Sequence, residues 1–163
     1  MTSEGAEDHN VPPIVSGEKE TLLAFLGYLR TSVDRKMEGV SDDDARRALV
    51  ASGTTLLGLL KHLAFVEVYW AQRRFAGSDV DLHGDGFELD RRDTVRSVRR
   101  DYAEAGSRTD EIVTACADLD QPLARGRHGL TLRWMLAHLV EETARHAGHV
   151  DILRELLDGR TGR

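Results

Sequence analysis

Apolar residues recur at helical spacing in four long stretches of this chain, and polar or glycine-rich stretches separate them. Leu22, Leu23, Phe25, Leu26, Leu29 and Val33 predict a first helix that Ser16 caps and that runs to about Glu38, with Gly39 as its stop. The segment SDDDARRAL follows, with Asp44 three residues after Ser41 in the manner of a capping box; it is too short for a main helix and reads as a connecting helical turn. A second long helix is predicted from Thr54 to about Phe75, closed by Gly77. The stretch 78–92, SDVDLHGDGFELDRR, breaks every period, and so long a loop is either functional or a crossover between distant helices. Asp93 then caps a third helix to about Leu119, with Val95, Val98, Tyr102, Ile112, Val113 and Cys116 turned inward. Its middle, AEAGSRTD, is weakly apolar, so this helix is expected to pack at its ends and to be wetter at its centre. After a loop over 120–129, Thr131 caps a fourth helix that runs to about Leu157 and stops at Gly159.

These elements predict an all-α fold, a four-helix bundle with a long crossover loop between the second and third long helices. Residues 16–160 form its single domain. Residues 1–15 are polar, include Pro12 and Pro13 and show no apolar period, so they read as a disordered tail.

Composition narrows the function classes. The 163 residues carry a net charge of -6 with no basic block, which is not the electrostatic footprint of a nucleic-acid partner. No run approaches the ~18 apolar residues of a membrane span. The opening segment MTSEGAEDHNVPP lacks the positive region and apolar run of a secretory signal. Cys116 is the sole cysteine, so no internal disulfide forms, and a cytoplasmic location is expected. Among the basic residues only Lys19, Lys36 and Lys61 are lysine, and Asn10 is the sole asparagine; arginine, alanine and glycine dominate instead, as in a genome rich in G and C.

Candidate chemistry sits on the fourth helix, TLRWMLAHLVEETARHAGHVDILRELL. At ~100° per residue with His138 at zero, the apolar face centres near ~100°, Glu142 falls near ~40°, His146 near ~80° and His149 near ~20° at its edge. A carboxylate directed into a bundle is costly unless a partner neutralises it. Glu142 and His146 lie one turn apart on the same face, so both can reach one ion. On the second helix His62 shares a face with Leu59, Val66 and Tyr69. Two histidines and a carboxylate make a common catalytic zinc set with coordination positions left open. The same residues also suit hydrogen-bonded core histidines and an ordinary surface pair, and helical phase alone leaves both readings open. The spacing is neither the HExxH of a zincin nor the ExxH pairs of a di-iron bundle.

With these residues in view, the segments LLGLLKHLAFVEVYW (56–70) and LRWMLAHLVEETARHAGHVDILRE (132–155) resemble the DinB/YfiT-like superfamily of metal-binding four-helix bundles. Within it the chain is most similar to the actinobacterial DUF664 branch, related to mycothiol-dependent S-transferases and to the metal domain of mycothiol-dependent maleylpyruvate isomerase. The resemblance extends over 16–160. Many members carry a histidine on the second helix and an HxxxH pair on the last; here the first position of the pair is Glu142, as in the isomerase branch. The resemblance therefore implies His62, Glu142 and His146 as metal ligands, with zinc as the metal and nickel as the other candidate. It places His149 beside the ligands or facing substrate, and His138 in a structural or supporting place.

The resemblance implies a divalent-metal-dependent transferase in which a small thiol, mycothiol, attacks a small electrophile such as an epoxide, quinone or halide. An actinobacterial source fits both the composition and the thiol. His149 is the candidate catalytic proton carrier, since unperturbed imidazole gains and loses a proton near neutrality. Arg73, Arg125 and Arg127 are candidates to hold a substrate carboxylate, against the more ordinary role of solvated surface charge. The alternatives are a non-catalytic metal-binding bundle of the stress or binding kind and a metal-free interaction module. A homodimer is compatible with such relatives. Neither nucleic acid nor membrane is expected as a partner.

Overall fold

The computed structural model of the protein describes residues 11–126 and 128–161. Among the described residues five helices follow one another: α1 (Glu18–Arg35), the single turn α2 (Asp42–Ala45), α3 (Leu56–Glu67), continued without a break by a π-helical segment (Val68–Phe75), α4 (Val95–Ala115) and α5 (Leu132–Asp158). There is no strand among the described residues; Pro122 and Thr131 form an isolated bridge. The architecture is the all-α bundle expected from the apolar periods. Of the tail expected over 1–15, residues 11–15 carry no helix and the remainder lie outside the described residues. No helix among the described residues is long and apolar enough to cross a membrane.

α1 packs chiefly on α5, and α3 on α4 and α5. One apolar cluster, around Leu57, Leu60, Val98, Tyr102, Val150 and Leu153, fills one part of the bundle. A second, around Leu26, Val66, Val113, Met135, Leu136 and Leu139, fills another. Each leucine wholly withdrawn from water contributes ~1.5–3 kcal/mol against chain entropy, so this interior drives the fold.

Local chemistry decides the helix ends. Gly17 stands at φ 96, so the helix cannot begin there; it starts at Glu18, without the side-chain cap expected of Ser16. Thr55 rather than Thr54 caps α3, its hydroxyl accepting from the Gly58 N–H at 3.0 Å. Thr94 rather than Asp93 caps α4 in a reciprocal capping box with Ser97. Asp93 is engaged elsewhere: its Oδ2 accepts from Lys61 Nζ and from the Asp90 N–H, both at 2.8 Å. α4 ends at Ala115, short of Leu119, because Cys116 turns extended and its buried thiol donates to the Asp118 carbonyl at 3.2 Å. Thr131 and Gly159, the latter at φ 75, bound α5 as expected. Ser41 likewise caps α2, its side chain accepting from the Asp44 N–H.

The expectation of a wet centre in α4 is overturned. Ala105, Gly106 and Thr109 are buried there. Their small size admits the Arg30 guanidinium, and a Cβ on Gly106 would lie 3.2 Å from Arg30 Nε. Arg30 grips Glu67 through Nε–Oε1 at 2.6 Å and Nη2–Oε2 at 2.9 Å, and reaches Asp110 at 2.8 Å. Burial works against the Arg30 charge, but Glu67 and Asp110 outweigh it and hold the guanidinium still more firmly protonated. Weak apolarity at this point therefore marks a buried ion pair, a kind of interior that hydrophobic periodicity does not register. Arg154 makes a similar tie between α5 and α1, donating to the Lys36 carbonyl at 2.5 Å and the Glu38 carbonyl at 2.9 Å. These carbonyls lie at the end of α1, where the helix leaves its acceptors without partners.

A candidate metal centre

α3 and α5 meet with His62 facing Glu142 and His146. Glu142 Oε1 lies 3.2 Å from Nε2 of His62 and 3.2 Å from Nε2 of His146. One ligand atom from each residue can be chosen so that all three lie within 4.8 Å of one another. His62 and His146 are each 8% exposed, while Glu142 is partly buried. The one-turn spacing of Glu142 and His146 on α5 accounts for their pairing; the packing of α3 on α5 supplies His62.

The remaining polar atoms define what each donor offers. His62 Nδ1 lies 2.5 Å from the Asp85 carbonyl, which only accepts, so this nitrogen carries a proton and donates it there, and Nε2 is the nitrogen that faces Glu142. His146 Nδ1 is 3.3 Å from His149 Nδ1, so one of these two donates to the other. Arg145 Nη1 reaches the second oxygen, Oε2, of Glu142 at 3.3 Å. Burial pushes the Glu142 carboxyl up, but hydrogen bonding to His62 and the neighbouring His146 and Arg145 more than offset it, leaving its pKa below the ordinary value. Burial and the nearby His62 push the His146 pKa down, against the attraction of Glu142. Lone pairs of two nitrogens facing carboxylate oxygen repel unless a proton or a cation lies among them, and this donor set fits a divalent ion that favours nitrogen and oxygen.

A family model described as Mycothiol-S-transferase matches residues 21–159. The chain belongs to this family. A comparison with curated proteins gave no match. Membership in the mycothiol S-transferase family agrees with the resemblance read from the segments 56–70 and 132–155, and it supports a mycothiol S-transferase-like function at the level of the family. The matched span includes all three clustered residues and His149.

The other candidates are placed as follows. His149 is exposed and touches the cluster only through His146, its ring centre 5.3 Å from that of His146. His138 stands apart from the cluster, stacked on Trp134 at 5.0 Å and edge-on to Trp70 at 4.8 Å. Among the described residues no contact joins Arg73 or Arg125 to the cluster. Arg125 uses its backbone instead, its carbonyl accepting from Arg74 Nε at 2.8 Å. Arg127 lies outside the described residues. Arg73 lies in the π-helical segment Val68–Phe75, which does not keep the residue spacing of an α-helix.

Sequence reasoning missed two neighbours of His62, both in the aperiodic crossover: the Asp85 carbonyl and the Phe87 ring, stacked on the imidazole at 3.9 Å with 12° between planes. Their only sequence signal was the Asp- and Gly-rich break itself. A cavity of about 430 Å³ runs along the same segment, lined by Lys61, Phe65, His83, Asp85 and Gly86 among others. Neither it nor a larger cavity of about 690 Å³, between residues 11–14 and α1, is lined by His62, Glu142 or His146; the smaller one borders the site through Asp85, whose carbonyl meets His62.

Proposed function

We propose that this protein is a divalent-metal-dependent thiol S-transferase, with mycothiol as the thiol and a small electrophile as the acceptor. The observation that carries the reading is the convergence of His62, Glu142 and His146 within a chain of the mycothiol S-transferase family. The two Nε2 atoms and a Glu142 oxygen would hold the ion. When bound, a divalent ion, zinc or nickel, supplies the charge that keeps a coordinated thiol as its thiolate near neutral pH. In the transfer the thiol would give up its proton to solvent, and its sulfur would bond to the electrophilic carbon while the displaced group departs with its electron pair.

The chain's own residues prepare this chemistry. Glu142 stays ionised and partly neutralises the site, and Arg145 holds its outer oxygen in place. His146 stays neutral, so its Nε2 lone pair is available. His149 accepts the proton on His146 Nδ1 in a hydrogen bond and, being exposed, exchanges it with solvent. A reducing cytoplasm is the compartment this chemistry needs, since both a thiol substrate and the unpaired Cys116 persist there.

The test is metal analysis of untagged protein together with a panel of thiols and electrophiles. Near-stoichiometric zinc or nickel, and thiol consumption that His146→Ala abolishes, is the expected result. Metal-loaded protein inert with every thiol would instead make it a non-catalytic metal-binding bundle. Protein without metal would end the metal reading.

A further inference from the structure

The crossover carries the run HGDGFELD, whose chemistry the bundle itself does not require. We propose that Asp85, Gly86 and Phe87 are positioning residues for His62, holding its ring so that Nε2 is the nitrogen offered to the metal; this rests on the metal reading of the site.

Three consecutive residues contribute differently. Asp85 Oδ1 accepts from the Phe87 N–H at 3.1 Å, an Asx-type turn that leaves the Asp85 carbonyl free to receive the His62 Nδ1 proton at 2.5 Å. Gly86 adopts φ +85, and a Cβ there would lie 2.6 Å from Phe65 Cβ and 3.1 Å from His62 Cα. Only glycine lets the turn lie this close to α3. Phe87 lays its ring flat on the imidazole at 3.9 Å although it stays 37% exposed, and its centroid is 6.0 Å from that of His146. It fixes ring rotation while the carbonyl fixes the proton.

The turn is also anchored. Lys61, the residue before His62, donates to the Glu88 carbonyl at 2.7 Å and pairs with Asp93 at 2.8 Å. Arg46 Nη2 donates to the Asp90 and Asp93 carbonyls, each at 2.6 Å. A loop serving only as a connection has no need of a carbonyl and an aromatic face on the same imidazole. Groups that orient a ligand histidine in this way typically account for ~10–100-fold in metal affinity.

The experiment measures zinc affinity by competition with a chromophoric chelator, and the His62 ring proton by ¹⁵N NMR at mildly alkaline pH. Full-length protein is used throughout, both metal-free and zinc-loaded. The wild type should carry its His62 proton on Nδ1. Phe87→Ala should weaken zinc binding ~10–100-fold, and Phe87→Tyr, which keeps the ring, should restore it. Gly86→Ala should weaken binding too and spread the proton onto Nε2. Arg92→Ala, at an exposed position near the end of the same loop, should change neither readout. Folded Phe87→Ala protein with unchanged zinc affinity, or a wild-type His62 protonated on Nε2 when metal-free, overturns the proposal. Should the wild type take up no zinc, the metal reading falls separately. NMR then decides the positioning role alone: an Nδ1 proton that Gly86→Ala redistributes supports it, and an identical tautomer mixture in both proteins overturns it.

Discussion

Glu142 Oε1 stands 3.2 Å from His62 Nε2, across 80 residues of sequence and between two different helices. That approach sets a carboxylate oxygen against an imidazole nitrogen in a largely dry setting, which a shared proton or a bound cation makes favourable. Glu142→Gln keeps the shape and removes the charge. It should lower zinc affinity by more than the ~10–100-fold typical of residues that merely orient a ligand. Isothermal titration or chelator competition reads this directly, and an affinity equal to wild type would remove Glu142 from the donor set.

Acid should destabilise the metal-free fold, and the sign follows from the two shifted groups. Both His146 and Glu142 have pKa values lowered from their ordinary values of 6.5 and 4.5. Where the unfolded chain binds more protons than the folded one, stability rises with pH. The His146 contribution is therefore complete above 6.5 and is lost as pH falls through its folded value; the Glu142 contribution is lost in the same sense below 4.5. Thermal melts of chelator-treated protein between neutral and acidic pH should show a falling Tm in two ranges. His146→Ala should flatten the upper one.

Much of this bundle was legible in sequence because apolar spacing at three and four residues reports which face of a helix is buried. Glu142 and His146 were legible for the same reason: one helix determines their relation, and phase alone placed both within the apolar arc of α5. His62 was not chosen by phase, since the pairing of α3 with α5 is a property of tertiary packing, and family resemblance supplied it. The loop residues Asp85 and Phe87 were invisible, because aperiodic backbone has no phase from which a carbonyl's direction can be read. The Glu67–Arg30 pair was hidden differently. Its partners lie on separate helices, and each charge alone reads as a surface residue.

His149 meets the cluster only through the Nδ1 atoms, 3.3 Å apart, of its own ring and that of His146. This contact separates two kinds of loss. His149→Ala should keep near-stoichiometric metal, because the three clustered donors remain. It should lower thiol-transfer rate ~10–100-fold, the range for a group that orients a metal ligand. His146→Ala should lose metal and activity together. Metal content and rate measured on the same preparations check this, and a His149→Ala protein as active as wild type would leave His149 without a catalytic part.

The Arg30–Glu67 pair gives the clearest stability prediction because Glu67 is almost completely withdrawn from water, its side chain 2% exposed. Arg30→Met leaves that carboxylate buried without its bidentate partner, and breaking a buried pair in this way costs ~3–5 kcal/mol. Replacing both members, Arg30→Met with Glu67→Leu, removes the stranded charge and should recover most of the loss. The variants also probe the adjoining helix, since Glu67 immediately precedes the π-helical segment Val68–Phe75. Denaturant unfolding gives the energies. Arg30→Met with wild-type stability would mean that the carboxylate found water or a proton at little cost, and that the pair does not hold α1 against α3.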